Sequence, residues 1–379
     1  VNITEPSFDH SELAMLQRCL DSKWVTQGPL TAEFERLFGG RHEVASALAT
    51  TSCTAALHIA ALALDLGPGD EVIVPAFTWV TSAHCAEYVG ATPVFADVDL
   101  ATYNLDPAAV EAAITPRTKA IVAVHLFGLA AEMDPLRALA RRHGLKIIED
   151  AACAVGTTYN GQVIGGLGDI GCFSLHPRKV ITTGEGGMLT TNDAALADAM
   201  KSLRNHGATG PAPGVDPTRP YAMGTFNRLG FNLRLSDIQS AVGVAQMAKL
   251  GALLAERRRL GDRYTELLQD EARLVLPSTD PGHTYQSYVV RLADADRLLR
   301  NAAMDALAAH RIQTRPGTHA VHRLGYYVHK YGLKPEQFPN ACVAEDATIT
   351  LPIFPGMTEG DQAEVVGRLR GALDAGRPG

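Results

Sequence analysis

Short apolar runs alternate with alanine-rich amphipathic stretches over the first two thirds of the chain. Glu71-Val72-Ile73-Val74-Pro75, Pro93-Val94-Phe95-Ala96, Ala120-Ile121-Val122-Ala123-Val124 and Leu145-Lys146-Ile147-Ile148-Glu149 read as strands. The stretches around 81–89, 106–114 and 134–143 read as helices. Continuously apolar strands separated by helices predict an α/β fold with a parallel or mostly parallel sheet. Ligands of such sheets gather beyond the carboxyl ends of the strands. That rule singles out Asp150, which follows the last of these runs.

The pattern changes after about residue 236. Residues 236–259 read as one long helix, with Ser236 as its N-cap. It ends in Glu256-Arg257-Arg258-Arg259, a charge run that reads as a solvated helix face. Tyr285 to Leu292 alternates like a strand, Asp296 to His310 reads as a helix, and Ile349-Thr350-Leu351-Pro352 precedes a final helix after Thr358. This predicts a large domain over 1–250 and a smaller C-terminal α+β domain over 251–379, joined through the long helix. Residues 208–220, rich in Gly and Pro, read as a loop, and no internal repeat is visible.

Length and composition fit this picture. A chain of 379 residues with 20% charged and 46% hydrophobic residues has the make-up of a globular enzyme of two or three domains. The net charge of -7 argues against a nucleic-acid partner, which calls for a basic face. It leaves room for a local basic pocket that takes a phosphorylated small molecule. None of Cys19, Cys53, Cys85, Cys153, Cys172 and Cys342 forms a C-x-x-C pair, so a zinc ribbon or a thioredoxin-type site is not expected. Their scatter through apolar segments suits reduced thiols and a cytoplasmic location. No signal leader is legible, so the Asn2-Ile3-Thr4 sequon reads as chance, and no uninterrupted apolar run is long enough to predict a membrane partner.

Several motifs carry possible chemistry. Gly166-Leu167-Gly168-Asp169-Ile170-Gly171 satisfies G-x-G-x-x-G, but it leads into a strand instead of opening a helix. The context of a dinucleotide site is missing, and the glycines read as a turn. Thr50-Thr51-Ser52-Cys53-Thr54 runs into an alanine-rich helix. It is either an ordinary N-cap or a phosphate site, since free N–H groups and the helix dipole both favour an anion there. Asp150 either caps the next segment or meets a ligand. Trp79, in Pro75-Ala76-Phe77-Thr78-Trp79, is either core or a flat surface for a ring. Lys179 lies between Phe173-Ser174-Leu175-His176-Pro177-Arg178 and Thr182-Thr183-Gly184-Glu185-Gly186-Gly187. It is either a solvated lysine or an amine kept for covalent work, which requires desolvation or an imine. Taken jointly, Lys179, Asp150, Trp79, Thr54 and Ser174 offer an imine partner, a counter-charge, a ring platform and a phosphate cradle. Pyridoxal phosphate needs that set.

These stretches resemble the DegT/StrS-type sugar aminotransferases, pyridoxal-phosphate enzymes of fold type I. The resemblance runs from Trp24-Val25-Thr26-Gln27-Gly28-Pro29 through Pro93 to Asp99, His125-Leu126-Phe127-Gly128, Ile148-Glu149-Asp150-Ala151-Ala152, Ser174 to Gly187 and Gly230-Phe231-Asn232-Leu233-Arg234. It reaches Leu351-Pro352-Ile353-Phe354-Pro355-Gly356-Met357. It implies a mostly parallel seven-stranded sheet in the large domain. It also implies a transamination in two half-reactions, with pyridoxamine phosphate as the amine-carrying intermediate. By the resemblance Lys179 would carry the cofactor covalently and shuttle protons, Asp150 would bind the pyridinium nitrogen, and Trp79 would stack on the ring. Ser174, Thr54 and the backbone near Cys53 would hold the phosphate. Asn232 would reach it from the second subunit of a homodimer with shared active sites. The chain departs from the family at Cys53, where Gly is usual, at Cys153, where Gln or Glu is common near the ring oxygen, and at Phe127 and Leu175. A thiol is the weaker hydrogen-bonding group, so the Cys153 contact differs from the family's.

The same resemblance implies an amino-acid donor, glutamate or glutamine, and a keto-sugar acceptor. A nucleotide-linked keto-deoxysugar is expected, with His176, Arg315 and His319, and further along His322, as candidate acceptor contacts. A keto-cyclitol is the alternative. A sugar dehydratase of the family would carry His where this chain has Lys179.

Overall fold

The computed structural model describes residues 1–211 and 215–375. Its centre is a seven-stranded sheet built from Ser46–Thr50 (β1), Glu71–Pro75 (β2), Thr92–Ala96 (β3), Thr118–Val124 (β4), Lys146–Asp150 (β5), Ile170–Ser174 (β6) and Gly187–Thr191 (β7). The spatial order is β1-β7-β6-β5-β4-β2-β3. β7 runs antiparallel to both its neighbours, and every other pairing is parallel. The expected mostly parallel sheet is therefore present. Its central strands are buried on both faces, as their unbroken apolar runs require. β1 and β7 were not read from the sequence, because Ser-Ala-Leu-Ala-Thr and Gly-Met-Leu-Thr-Thr carry small residues and no strong β signal.

Helices cover both faces: His10–Ser22 (α1), Pro29–Arg41 (α2), Cys53–Ala63 (α3), Thr81–Tyr88 (α4), Pro107–Ala113 (α5), Met133–His143 (α6) and Ala194–Leu203 (α7). Their starts follow local chemistry. Asp106 and Asp193 cap α5 and α7 with their carboxylates, and Asp9 and Glu12 form a capping box on α1.

The long helix Asp237–Leu268 (α8) packs on α1 and α2 and continues into the C-terminal part. Ser236 caps it, as expected. Buried Asp237 ties it to α2 by accepting from the N–H groups of Gly28, Leu30 and Thr31 and from the Thr31 hydroxyl at 2.7–3.1 Å. By length and composition alone α8 could cross a bilayer, but its buried side faces these helices. It does not end at the charge run 256–259, and that run is not simply a solvated face. Arg257 is buried and donates to the carbonyls of Tyr285, Gln286 and Ile353 at 3.2–3.4 Å.

A second sheet, Leu274–Val275 (β8), Tyr288–Leu292 (β9) and Thr348–Leu351 (β10), is antiparallel. Arg297–Ala309 (α9) and Glu359–Ala375 (α12) pack on each other beside it, and Gly325–Tyr331 (α10) and Pro339–Ala347 (α11) complete the helices. The expected strand from Tyr285 starts three residues late because Tyr285 has a left-handed backbone, φ 47°. Within the expected 208–220 loop, Ala208–Pro211 pairs with Gly224–Phe226. Residues 212–214 lie outside the described residues.

Candidate active site

The sheet register gathers the site. Thr50, Asp150 and Ser174 are the last residues of β1, β5 and β6, and Gly187 is the first residue of the reversed strand β7. Gly187 pairs with both Ser174 and Thr50. All four therefore lie on the carboxyl edge of the sheet, where a ligand of an α/β fold is expected. His125 follows β4 on the same edge, and Trp79 follows β2 after the short pairing of Phe77 and Thr78.

Asp150 is buried and holds two hydrogen bonds. The Ser82 hydroxyl donates to Oδ2 at 2.6 Å, and the Ala152 N–H donates to Oδ1 at 3.2 Å. Ser82 stands 2.9 Å from the Thr78 hydroxyl, so a short hydroxyl chain steadies the carboxylate. Burial raises the carboxyl above its usual range, against the opposing pull of Ser82, the Ala152 N–H, Lys179 and His125. A buried carboxylate held up in this way gains most from a cation placed against it.

Behind Asp150 lies a second buried carboxylate, Glu149. It accepts from the N–H groups of Gly165, Leu167 and Gly168 at 2.8, 2.8 and 2.6 Å. The G-x-G-x-x-G stretch is thus a turn whose amides enclose a side chain of the protein itself. His125 completes the arrangement. Its Nδ1 accepts from Ala131 N–H at 3.0 Å, which leaves the proton on Nε2 to donate to Glu149 at 3.1 Å. Burial acts to raise Glu149, but His125 and the backbone donors win and hold it below the usual carboxylate range. The His125 N–H also donates to the Asp150 carbonyl at 3.0 Å, which ties this layer to the site.

Lys179 is half-buried, and its Nζ donates to the Cys153 sulfur at 3.1 Å. Its segment is fixed locally: the Lys179 N–H donates to the His176 carbonyl, and Leu175 exchanges backbone bonds with Gly186 and Thr183. Leu175 N–H to Gly186 and Thr183 N–H to Leu175 close the loop that presents the amine.

At the start of α3, Ser52 is the N-cap and accepts from the Ala55 N–H at 3.1 Å. The N–H groups of Cys53 and Thr54, in the first turn, have no intrahelical acceptor. They sit beside Gly187, whose packing is close: a Cβ there would lie 2.5 Å from the Ser52 carbonyl carbon and oxygen and 2.7 Å from the Cys53 nitrogen. Of the two readings of the Thr50–Thr54 stretch, the cap is present. Ser52 caps the helix, and the next two amides have no partner within it.

The other expected residues differ in placement. Trp79 is 57% exposed, so it is not core, and its ring lies 5.6 Å from that of His319. His319 is held there because it pairs with Thr78. His176 approaches Glu185 at 4.0 Å, and its imidazole is lowered from its usual range, mainly by burial. Asn232 is exposed; the bond from Thr51 N–H to the Leu233 carbonyl keeps its segment next to the start of α3. His322, by contrast, is buried against Phe338 and Cys342, so it cannot meet an acceptor. The sequence reading missed Ser82, Glu149 and the role of His125. The one signal for Ser82 was its spacing of four residues from Thr78 across a helix start.

The chain matches the model of the DegT/DnrJ/EryC1/StrS aminotransferase family over residues 6–370. It is 41% identical over 376 residues to the GDP-perosamine synthase of Caulobacter vibrioides, with 97% of each chain covered. It is 37% identical over 369 residues to the spore coat polysaccharide biosynthesis protein SpsC of Bacillus subtilis, covering 96% of this chain and 95% of that one. Among solved structures, the Spr1654 sugar aminotransferase of Streptococcus pneumoniae in its pyridoxamine phosphate form superposes with a TM-score of 0.93 at 26% identity, over 99% of both chains. Its pyridoxal phosphate form gives a TM-score of 0.92. The sheet-edge carboxylate and amine, the helix start beside them and these likenesses agree: the chain belongs to the DegT/DnrJ/EryC1/StrS aminotransferase family and is a pyridoxal-phosphate-dependent sugar aminotransferase of fold type I.

Proposed function

We propose that the acceptor is a nucleotide-linked keto-deoxysugar, that glutamate or glutamine is the donor, and that the enzyme works in the cytoplasm as a homodimer with shared sites. The observation that carries the acceptor reading is the 41% identity, over nearly the full length of both chains, to a protein named for a nucleotide-linked amino sugar. The dimer reading rests on Asn232. It is exposed, and its segment borders the α3 start. The large and small domains are taken as 1–250 and 251–379, with α8 running through that boundary.

The residues fit the cofactor. The free N–H groups of Cys53 and Thr54, the Thr54 hydroxyl and the Ser174 hydroxyl would hold its phosphate, and Gly187 leaves the helix start close enough to the strand for this. Asp150 would meet the ring nitrogen, whose positive charge would relieve the cost of burying the carboxylate. Trp79 offers its exposed face to the ring, and Cys153 borders the amine of Lys179. When bound, pyridoxal phosphate supplies an electron sink for the pair left by the donor's α-C–H bond. Lys179 Nζ removes that α-proton and later delivers it, acting as base and then as acid. Asp150 would hold the ring nitrogen protonated through a charge-assisted bond, a class worth about 1.5–3 kcal/mol in stability measurements. His176 and His319 flank the acceptor.

The test is a panel assay. Enzyme first converted to its amine form by glutamate is mixed with nucleotide-linked keto-sugars and with keto-cyclitols, and recovery of the visible cofactor band is followed. Recovery with a nucleotide keto-sugar is expected. Recovery with cyclitols alone refutes the acceptor reading, and a Lys179→Ala protein that turns over at the wild-type rate refutes the catalytic assignment.

A further inference from the structure

The contact between Lys179 and Cys153 has no part in the proton transfers proposed above. The Lys179 Nζ donates to the Cys153 sulfur at 3.1 Å, and both side chains are half-buried. Both ends are anchored. Cys153 lies in the turn after β5, where the Ala151 N–H donates to the Cys172 carbonyl and the Ala154 N–H to the Ala151 carbonyl, each at 2.9 Å. The Lys179 N–H donates to the His176 carbonyl at 2.9 Å, and the preceding Arg178 carbonyl accepts from the Gln286 amide at 2.8 Å. A sulfur and a nitrogen held in contact react with each other far more readily than with groups that must diffuse in.

Among the cysteines this sulfur is the one placed to react. Cys19, Cys53, Cys85 and Cys172 are buried, and only Cys342 shares the partial exposure of Cys153. Cys342 meets the His322 ring at 3.5 Å and the Pro335 carbonyl at 3.3 Å. Cys153 instead has a primary amine against it, and Arg315 is near enough to act on it electrostatically. Reactive thiols are those that solvent reaches and cations flank. Peroxide turns such a thiol into a sulfenic acid, which condenses with an adjoining nitrogen or with a second thiol. Cys53 is the other thiol within electrostatic range of Cys153. Burial pushes the Cys53 thiol well above its usual range, which keeps it protonated and a poor nucleophile. The nucleophile in contact with the sulfur is the Lys179 amine.

We propose that Cys153 and Lys179 are a peroxide-responsive pair that closes into a sulfur–nitrogen cross-link and so withdraws the amine from the cofactor. Hydrogen peroxide is the oxidant. The sulfur attacks one peroxide oxygen. An S–O bond forms, the O–O bond breaks, and the other oxygen leaves as water with the thiol proton. Sulfur is oxidised and peroxide is reduced. The lone pair of Lys179 Nζ then attacks the sulfur. An S–N bond forms, the S–O bond breaks, and the hydroxide leaves with a proton from the nitrogen as a second water. A pair of external thiols reverses the step: they reduce the S–N bond to thiol and amine and leave as a disulfide. An amine already joined to pyridoxal phosphate is not free to attack sulfur, so the loaded enzyme is protected. The inference rests on the reading of Lys179 as the residue that carries the cofactor.

The test treats the cofactor-loaded enzyme and the full chain freed of cofactor with hydrogen peroxide, and maps both by peptide mass spectrometry. In the cofactor-free chain the peptides that hold Cys153 and Lys179 should appear joined, lighter than their sum by a pair of hydrogen atoms. Dithiothreitol should release them. Peroxide should also abolish the visible band that pyridoxal phosphate gives on addition, and dithiothreitol should restore it. Cys342→Ala should form the same cross-link. Cys153→Ala should take up as much cofactor after peroxide as before it. In Lys179→Ala, dimedone should trap a sulfenic acid on Cys153. A Cys153 that stays reduced, that carries oxygen beside a free Lys179, or that pairs with Cys53 overturns the proposal, as does equal cross-linking of the loaded enzyme. The cofactor reading fails separately, if borohydride fixes pyridoxal phosphate to Lys179→Ala protein as it does to wild type.

Discussion

Gly187→Ala tests the phosphate site through geometry alone. The added methyl would sit 2.5 Å from the carbonyl carbon and oxygen of Ser52 and 2.7 Å from the nitrogen of Cys53. All three are backbone atoms, so no side chain can rotate away. Ordinary carbon contact needs about 3.5 Å or more, so the start of α3 must move outward by about 1 Å. Overpacking of this kind costs about 1–3 kcal/mol of stability. The functional effect is sharper, because the same shift displaces the free N–H groups of Cys53 and Thr54. Losing one charge-assisted bond to phosphate is worth about 1.5–3 kcal/mol, which weakens the cofactor roughly tenfold to a hundredfold. The assay is a titration of apoenzyme with pyridoxal phosphate, read by its visible absorbance, with a thermal melt alongside. Gly184→Ala is the control. Gly184 has φ +83°, but a Cβ there meets nothing within 4 Å, so the substitution strains the backbone without crowding the helix start. Wild-type cofactor affinity in Gly187→Ala, or equal loss in both variants, would refute the argument that Gly187 seats the phosphate helix.

Two other substitutions probe the carboxylates. Ser82→Ala removes the 2.6 Å donor from Asp150, so the carboxyl should rise further above its usual range. The acid limb of the pH profile of kcat/KM should then move to higher pH, with wild-type pH dependence as the contrary result. Glu149→Gln removes an acceptor whose carboxyl is held below its usual range. A depressed carboxyl gives stability that is present above the unfolded value of 4.5 and is lost as pH falls through the folded value. The variant should therefore melt lower at neutral pH, and its midpoint should fall less than wild type's on acidification below about pH 4.5. Parallel curves would show that Glu149 is not held as described.

Much of the candidate site could be proposed from the sequence because its signals are local. Asp150 stands at the end of an apolar strand, Lys179 between a short strand and a glycine turn, and Thr54 at a helix start. Strand ends and helix starts are readable from a few neighbouring residues. The positions that escaped depend on partners far away in sequence. Ser82 reaches Asp150 across 68 residues. Arg257 finds its carbonyl partners 28, 29 and 96 residues away.

Arg257 marks the boundary. Leu253, Arg257, Leu260, Tyr264 and Leu268 are all buried on α8, at intervals of three and four residues. Read by helical spacing, the arginine already lay in an apolar stripe; read by its charged neighbours, it belonged to a solvated face. The sequence by itself determined the alternation of strands and helices, the strand-end carboxylate and the lysine loop, because hydrophobic periodicity and turn chemistry act over short spans. Tertiary structure alone decided which charges found partners. Three carbonyls gather around Arg257 and three amides around Glu149. The physical reason is that the cost of a buried charge is set by the groups folded around it, and those come from distant parts of the chain.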